Sequence, residues 1–71
     1  MSLSRHATAA DFAEWRSHAQ GCDNAALRFI IADCRSAELA MQGHDPVKEG
    51  FYSDQAATYA DELRDRRAAW Q

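Results

Sequence analysis

The stretch Asp23-Asn24-Ala25-Ala26-Leu27-Arg28-Phe29-Ile30-Ile31-Ala32-Asp33-Cys34-Arg35-Ser36-Ala37-Glu38-Leu39-Ala40-Met41-Gln42-Gly43 decides the fold class. Leu27, Ile30, Cys34, Ala37 and Met41 recur at alternating spacings of three and four, with Ile31 widening the stripe. That is the periodicity of one face of an α-helix. Asp23 is a natural N-cap, because its carboxylate can accept from the unpaired backbone N–H groups of the first turn. Gly43 stands where a helix ends in the left-handed conformation, which glycine adopts without a steric penalty. Cys22 and Leu27 occupy the two positions of a hydrophobic staple across the cap. A helix over 23–42 follows.

Toward the N-terminus, Thr8 can accept from the backbone N–H of Asp11 while Asp11 reaches back to Thr8, a short capping box that starts a helix over 9–20. Gly21 ends it. Its apolar stripe is thin, so Phe12 and Trp15 must supply most of its docking energy.

Toward the C-terminus, Asp45 caps a third helix with Pro46 at its first position, where the missing N–H costs nothing. Gly50 weakens that first turn, and Ser53 followed by Asp54 offers a second start; the residues leave both open. Tyr52, Ala56, Tyr59, Leu63, Arg66 and Trp70 then repeat at spacings of four, three, four, three and four, the seam of a helix packed along its length. Since the link between the two long helices is short, they should fold back as an antiparallel hairpin. Counting outward from the turn pairs Met41 with Tyr52, Ala37 with Ala56, Cys34 with Tyr59 and Ile30 with Leu63. The predicted fold is all-α: a short N-terminal helix plus a long antiparallel helical hairpin, one domain over 1–71 with helices at about 9–20, 23–42 and 46–70.

With 71 residues, such a domain buries only about 60% of its unfolded surface and needs some staple. A disulfide is excluded, because Cys22 and Cys34 would lie roughly 18 Å apart along the second helix against a bridging limit of about 7 Å. Phe29, Leu39 and Phe51 fall off the main stripes, at positions a monomeric three-helix protein would make polar. Two hairpins related by a two-fold axis would bury them in a helical bundle. The expected self-association residues are Phe29, Ile31, Leu39, Phe51, Tyr52 and Tyr59. Whether the first helix packs on its own hairpin or on a neighbour's is left open.

The net charge of −3, from 11 acidic and 8 basic side chains with the signs interspersed, argues against a generic nucleic-acid or anionic-membrane binder. The opening Met1-Ser2-Leu3-Ser4-Arg5-His6 is polar and no apolar run reaches the roughly 18 residues of a membrane span, so a cytoplasmic protein is expected. His18, Cys22, Cys34 and His44 lack the close ligand pairs of structural zinc sites, and no metal or cofactor is expected. His18 should pair with Glu14 one turn earlier, and His44 should sit at a wet turn. Cys22 lies beside a helix start that favours a thiolate, but Asp23 opposes it and no resolving cysteine is near. Ser53, His44 and Asp54 are close in sequence, yet a capping segment looks the same, and no catalytic residue is expected.

Arg28, Arg35, Arg64, Arg66 and Arg67 form the basic concentration, interleaved with Asp61, Glu62 and Asp65, and Arg28, Arg35, Arg64 and Arg67 are the expected partner surface. The first reading is a non-catalytic helical interaction module that binds itself and a protein partner. The alternative is a small dimeric nucleic-acid-binding or regulatory protein that uses the arginine group. The segment Phe51-Tyr52-Ser53-Asp54-Gln55-Ala56-Ala57-Thr58-Tyr59-Ala60-Asp61-Glu62-Leu63-Arg64 resembles the closing helix of short uncharacterised helical-hairpin proteins carried by bacterial phages and plasmids. That resemblance implies a mobile-element accessory protein in a bacterial cytoplasm and carries no functional residue with it.

Overall fold

Local chemistry places the helix boundaries. A computed structural model describes residues 5–69, and among them the chain forms three helices: α1 (Ala9–Gln20), α2 (Asn24–Met41) and α3 (Pro46–Ala69). The Thr8 hydroxyl accepts from the Asp11 backbone N–H, and Asp11 Oδ2 accepts from the Thr8 backbone N–H at 2.9 Å, so both halves of the capping box are made. Arg5 also clasps the Asp11 carboxylate; together with the Thr8 N–H it holds that carboxyl well below the usual carboxylate range. Asp23 Oδ1 accepts from the Ala26 N–H at 2.7 Å, and Asp45 Oδ1 from the Lys48 N–H at 3.0 Å. Gly43 adopts φ +80°, a backbone region in which an L side chain would be strained.

Of the two starts open for the third helix, the chain uses Pro46. Gly50 therefore lies inside α3, and a Cβ built on it meets nothing within 4 Å. Gly50→Ala should raise stability by about 0.5–1 kcal/mol, because it restricts the unfolded chain and strains nothing in the folded one. A urea titration followed by circular dichroism reads this as a higher midpoint with an unchanged slope. Trp70, the expected last member of the α3 seam, lies outside the described residues.

The stripe on α2 turns inward as its spacing requires. Leu27 and Cys34 are buried, while Ile30, Ile31, Ala37 and Met41 are half-buried. α2 packs along α3, and α1 is seated chiefly on α3 of its own chain. Trp15, Ala19, Leu27 and Tyr59 form the buried cluster, with Ala7, Phe12, Cys22, Ile30, Ile31, Phe51 and Leu63 packed around it. Cys22 and Leu27, the two staple positions, thus belong to one apolar cluster. Three edge-to-face contacts thread the aromatics: Phe12 on Trp15 at 5.4 Å between centroids, Trp15 on Phe51 at 5.2 Å, and Phe51 on Tyr52 at 5.9 Å. The principal extents are 41 × 23 × 18 Å. α3 alone accounts for about 36 Å of the long one at 1.5 Å per residue, so the shape is a short rod with long helix flanks facing solvent.

Candidate functional site

An α-helix turns about 100° per residue, so the buried stripe of α2 fixes which residues stand opposite it. Those residues are Ala25, Phe29, Ala32, Ser36, Leu39 and Ala40, and every one is exposed. Among the described residues, Phe29 at 73% and Leu39 at 67% are the exposed large hydrophobics. The outer face of α2 is thus an uncharged strip about 100° wide, with two bulky apolar side chains set among small ones. Arg28 and Arg35 border one edge of it and Asp33 the other.

The remaining residues expected to self-associate stand elsewhere. Tyr59 is 3% exposed and belongs to the core. Phe51 is half-buried under Trp15, with the Arg5 guanidinium 5.2 Å from its ring centroid. Ile31 and Tyr52 are half-buried as well. Tyr59, spent in the core of its own chain, is therefore a correction to the sequence-based surface, whereas Phe51 is half-buried like Ile31 and Tyr52. The seating of α1 contributes to both, through Trp15 against Phe51 and His18 against Tyr59.

Tyr59 is also a polar junction. His18 Nδ1 lies 2.8 Å from the Tyr59 hydroxyl, linking α1 to α3, and the expected His18–Glu14 pair is not made. The Cys22 thiol donates to the His18 carbonyl at 3.3 Å. Burial pushes the Tyr59 hydroxyl pKa up, with Cys22, Cys34 and Glu14 adding to the effect. Burial, reinforced by Asp33, raises the Cys34 thiol likewise, so Cys34 is a poor nucleophile. Both cysteines are free thiols.

The arginines are largely engaged. Arg35 pairs with Glu38 at 3.0 Å and Arg64 with Asp61 at 2.6 Å, both on the surface. Arg66, which the sequence presents as the polar member of a seam, is a clamp. Its Nε donates to Glu62 at 2.8 Å, one Nη to Asn24 Oδ1 at 2.8 Å, and the other to the Ala19 carbonyl at 3.1 Å. One guanidinium thereby adds a second donor to a carbonyl that already accepts from the Cys22 N–H at the end of α1, where the helix dipole favours a cation, and holds the start of α2. Arg66→Ala should cost about 1–3 kcal/mol, since it removes three hydrogen bonds from a charged donor and leaves the Glu62 carboxylate without its partner. Arg66→Lys should recover a minor part of the loss, because an ammonium cannot span all three acceptors. Chemical denaturation of both variants checks the order. Arg28 and Arg67 are exposed.

A groove of about 320 Å³ runs between α1 and α3. α1 contributes Phe12, Arg16 and Gln20, and α3 contributes Asp54, Asp61, Glu62 and Asp65 above the buried Thr58. The α3 carboxylates follow helical spacing, a signal visible in the sequence that the salt-bridge reading of Asp61, Glu62 and Asp65 overlooked. Two of them are already neutralised, Asp61 by Arg64 and Glu62 by Arg66. Thr58 donates its hydroxyl proton to the Asp54 carbonyl at 2.9 Å and is not offered to a ligand. Among the described residues no group of three or more His, Cys, Asp or Glu is placed to hold a metal ion. Among them, too, no helix is long and apolar enough to cross a membrane. No protein-family model matches this chain, and no match emerged among curated proteins or solved structures.

Proposed function

We propose that this protein is a non-catalytic helical interaction module that associates with a second copy of itself through the outer face of α2. The observation that carries this reading is the exposure of Phe29 and Leu39, at 73% and 67%, on the side of α2 opposite its core stripe. In this reading α2 and α3 form an antiparallel hairpin. It is supported by the short link between them and by the bond from Arg66, near the end of α3, to Asn24 at the start of α2. Two hairpins meeting through α2 build a four-helix layer, with α3 on the outside of each pair.

Magnitudes set the character of the association. Burying a Phe or Leu side chain fully contributes about 1.5–3 kcal/mol. Four such side chains across a two-fold pair fall within the roughly 4–15 kcal/mol that association costs. The dimer is therefore concentration-dependent rather than permanent. The arginine group speaks for protein contact more than for nucleic acid, because Arg35, Arg64 and Arg66 already face carboxylates of their own chain.

Sedimentation over a dilution series tests the reading. The wild type should pass from one copy to two as concentration rises. Phe29→Glu or Leu39→Glu should weaken association about 100-fold by forcing an unpaired charge into the contact. Their helix content and melting as single chains should be unchanged, since neither side chain is part of the core. A wild type that stays a single chain at high concentration overturns the proposal.

A further inference from the structure

We infer that the two α2 helices meet in parallel and in register, and that Arg28 and Asp33 set this direction. The inference rests on the reading that the outer face of α2 receives a second copy. The exposed residues Ala25, Phe29, Ala32, Ser36 and Leu39 follow one another at spacings of four, three, four and three. That is the seam of a heptad repeat, the pattern by which one helix packs along another. It lies on the side of α2 opposite the stripe that packs on α3. One helix thus carries two seams, and among the described residues only one of them is covered.

In a parallel pair each seam residue meets its own copy. Phe29 faces Phe29, the small Ala32 and Ser36 face themselves, and Leu39 faces Leu39. Bulky layers then bracket a small-residue stretch in which the backbones can approach closely. Size matching alone does not choose a direction, because an antiparallel pair can also set Phe29 against Leu39.

Charge does choose. Arg28 immediately precedes the seam residue Phe29, and Asp33 immediately follows the seam residue Ala32, so they stand on opposite edges of the strip. Both are exposed, and neither makes an ion pair with the other described residues. In a parallel heptad pair, a residue just before the first seam position faces the residue five places further along on the partner. Arg28 of each copy therefore meets Asp33 of the other, giving two ion pairs related by the two-fold axis. An antiparallel pair turns each edge against its own kind, with the Arg28 and Arg35 edge against the same edge and Asp33 against Asp33. Like charges at these positions disfavour that arrangement.

The full-length chain carrying Arg28→Glu or Asp33→Lys tests the direction by sedimentation over a dilution series, with circular dichroism to check that the fold is intact. Each variant alone should associate about ten-fold more weakly than the wild type, because two attractions become two repulsions. An equimolar mixture of the two should regain association near the wild-type level. In the mixed pair, the introduced glutamate at position 28 meets the introduced lysine at position 33, and the unaltered Arg28 meets the unaltered Asp33. If Arg28→Glu associates as well as the wild type or better, or if mixing restores nothing, the parallel arrangement is overturned while self-association stands. If the wild type never exceeds one copy, the underlying reading falls and the direction falls with it.

Discussion

Replacing Trp15 by alanine should lower stability by about 3–5 kcal/mol, the cost of removing a large buried aromatic and leaving its cavity. Trp15 is 8% exposed and stands between two other rings, Phe12 on its own helix and Phe51 on α3. It is the larger and more deeply buried of the two aromatics that seat α1, and the other inward residues apart from Phe12 are small, so the lost area is not made good by a neighbour. Against a total stability of about 5–15 kcal/mol, with a domain this small at the lower end, the loss removes most of the margin. The expected readout in urea is a midpoint near zero denaturant at 25 °C. Trp15→Phe should retain a large share of the stability, since it keeps an edge for the Phe51 ring. A Trp15→Ala chain within 1 kcal/mol of the wild type would show that α1 is held by its polar ties, Arg66 and His18, and not by its aromatic one.

Leu27→Ala should cost about 2–5 kcal/mol for a different reason. Leu27 is fully buried and lies in the first turns of α2, beside the cluster of Trp15, Ala19 and Tyr59. Trp15 holds one helix onto the rest, whereas Leu27 shares a cluster with side chains of all three. Its removal should lower the stability of the whole cooperative unit and not merely release α1. Leu27→Met, which conserves volume, should cost less than about 1.5 kcal/mol. Denaturation followed in parallel by far-ultraviolet dichroism and tryptophan fluorescence separates the two cases. Coincident loss of both signals is expected for Leu27→Ala, and an earlier fluorescence change would mean that α1 departs alone. These two substitutions act inside the chain, whereas Phe29→Glu and Leu39→Glu act on its outside. Core loss should therefore lower stability at every protein concentration, and outer-face loss should change only the part that depends on concentration.

Most helix boundaries were legible residue by residue, while the start of α3 was left open between Pro46 and Ser53 and is at Pro46. Thr8 with Asp11, Asp23, Asp45 with Pro46, and Gly43 each do in the folded chain what their chemistry prescribes, because a cap involves partners only three or four residues away. The inward stripe of α2 was legible for a similar reason: a regular helix converts spacing into direction. Phe29 and Leu39 stood out as apolar residues without a place on that stripe, and they are the ones left exposed. The heptad order around them became visible once the buried side of α2 was known, since a seam of alanines and a serine carries almost no hydrophobic signal of its own.

What involved partners far along the chain was not legible in this way. Phe51 was assigned to an intermolecular surface because it falls off the main stripes, and Tyr59 was counted there as part of the α3 seam; the seating of α1 on α3 puts Trp15 against the first and His18 against the second. Arg66 looked like an oddity in an apolar seam until the end of α1 and the start of α2 arrived within reach of its guanidinium. Short-range hydrogen bonding and helical periodicity thus dictated three helices and the inward side of the second. The choice among several apolar and polar side chains of equal promise depended on where a twelve-residue helix came to rest. Its thin apolar stripe specifies that docking weakly, so contacts made across forty or more residues of chain settled which side chains of α3 are spent inside.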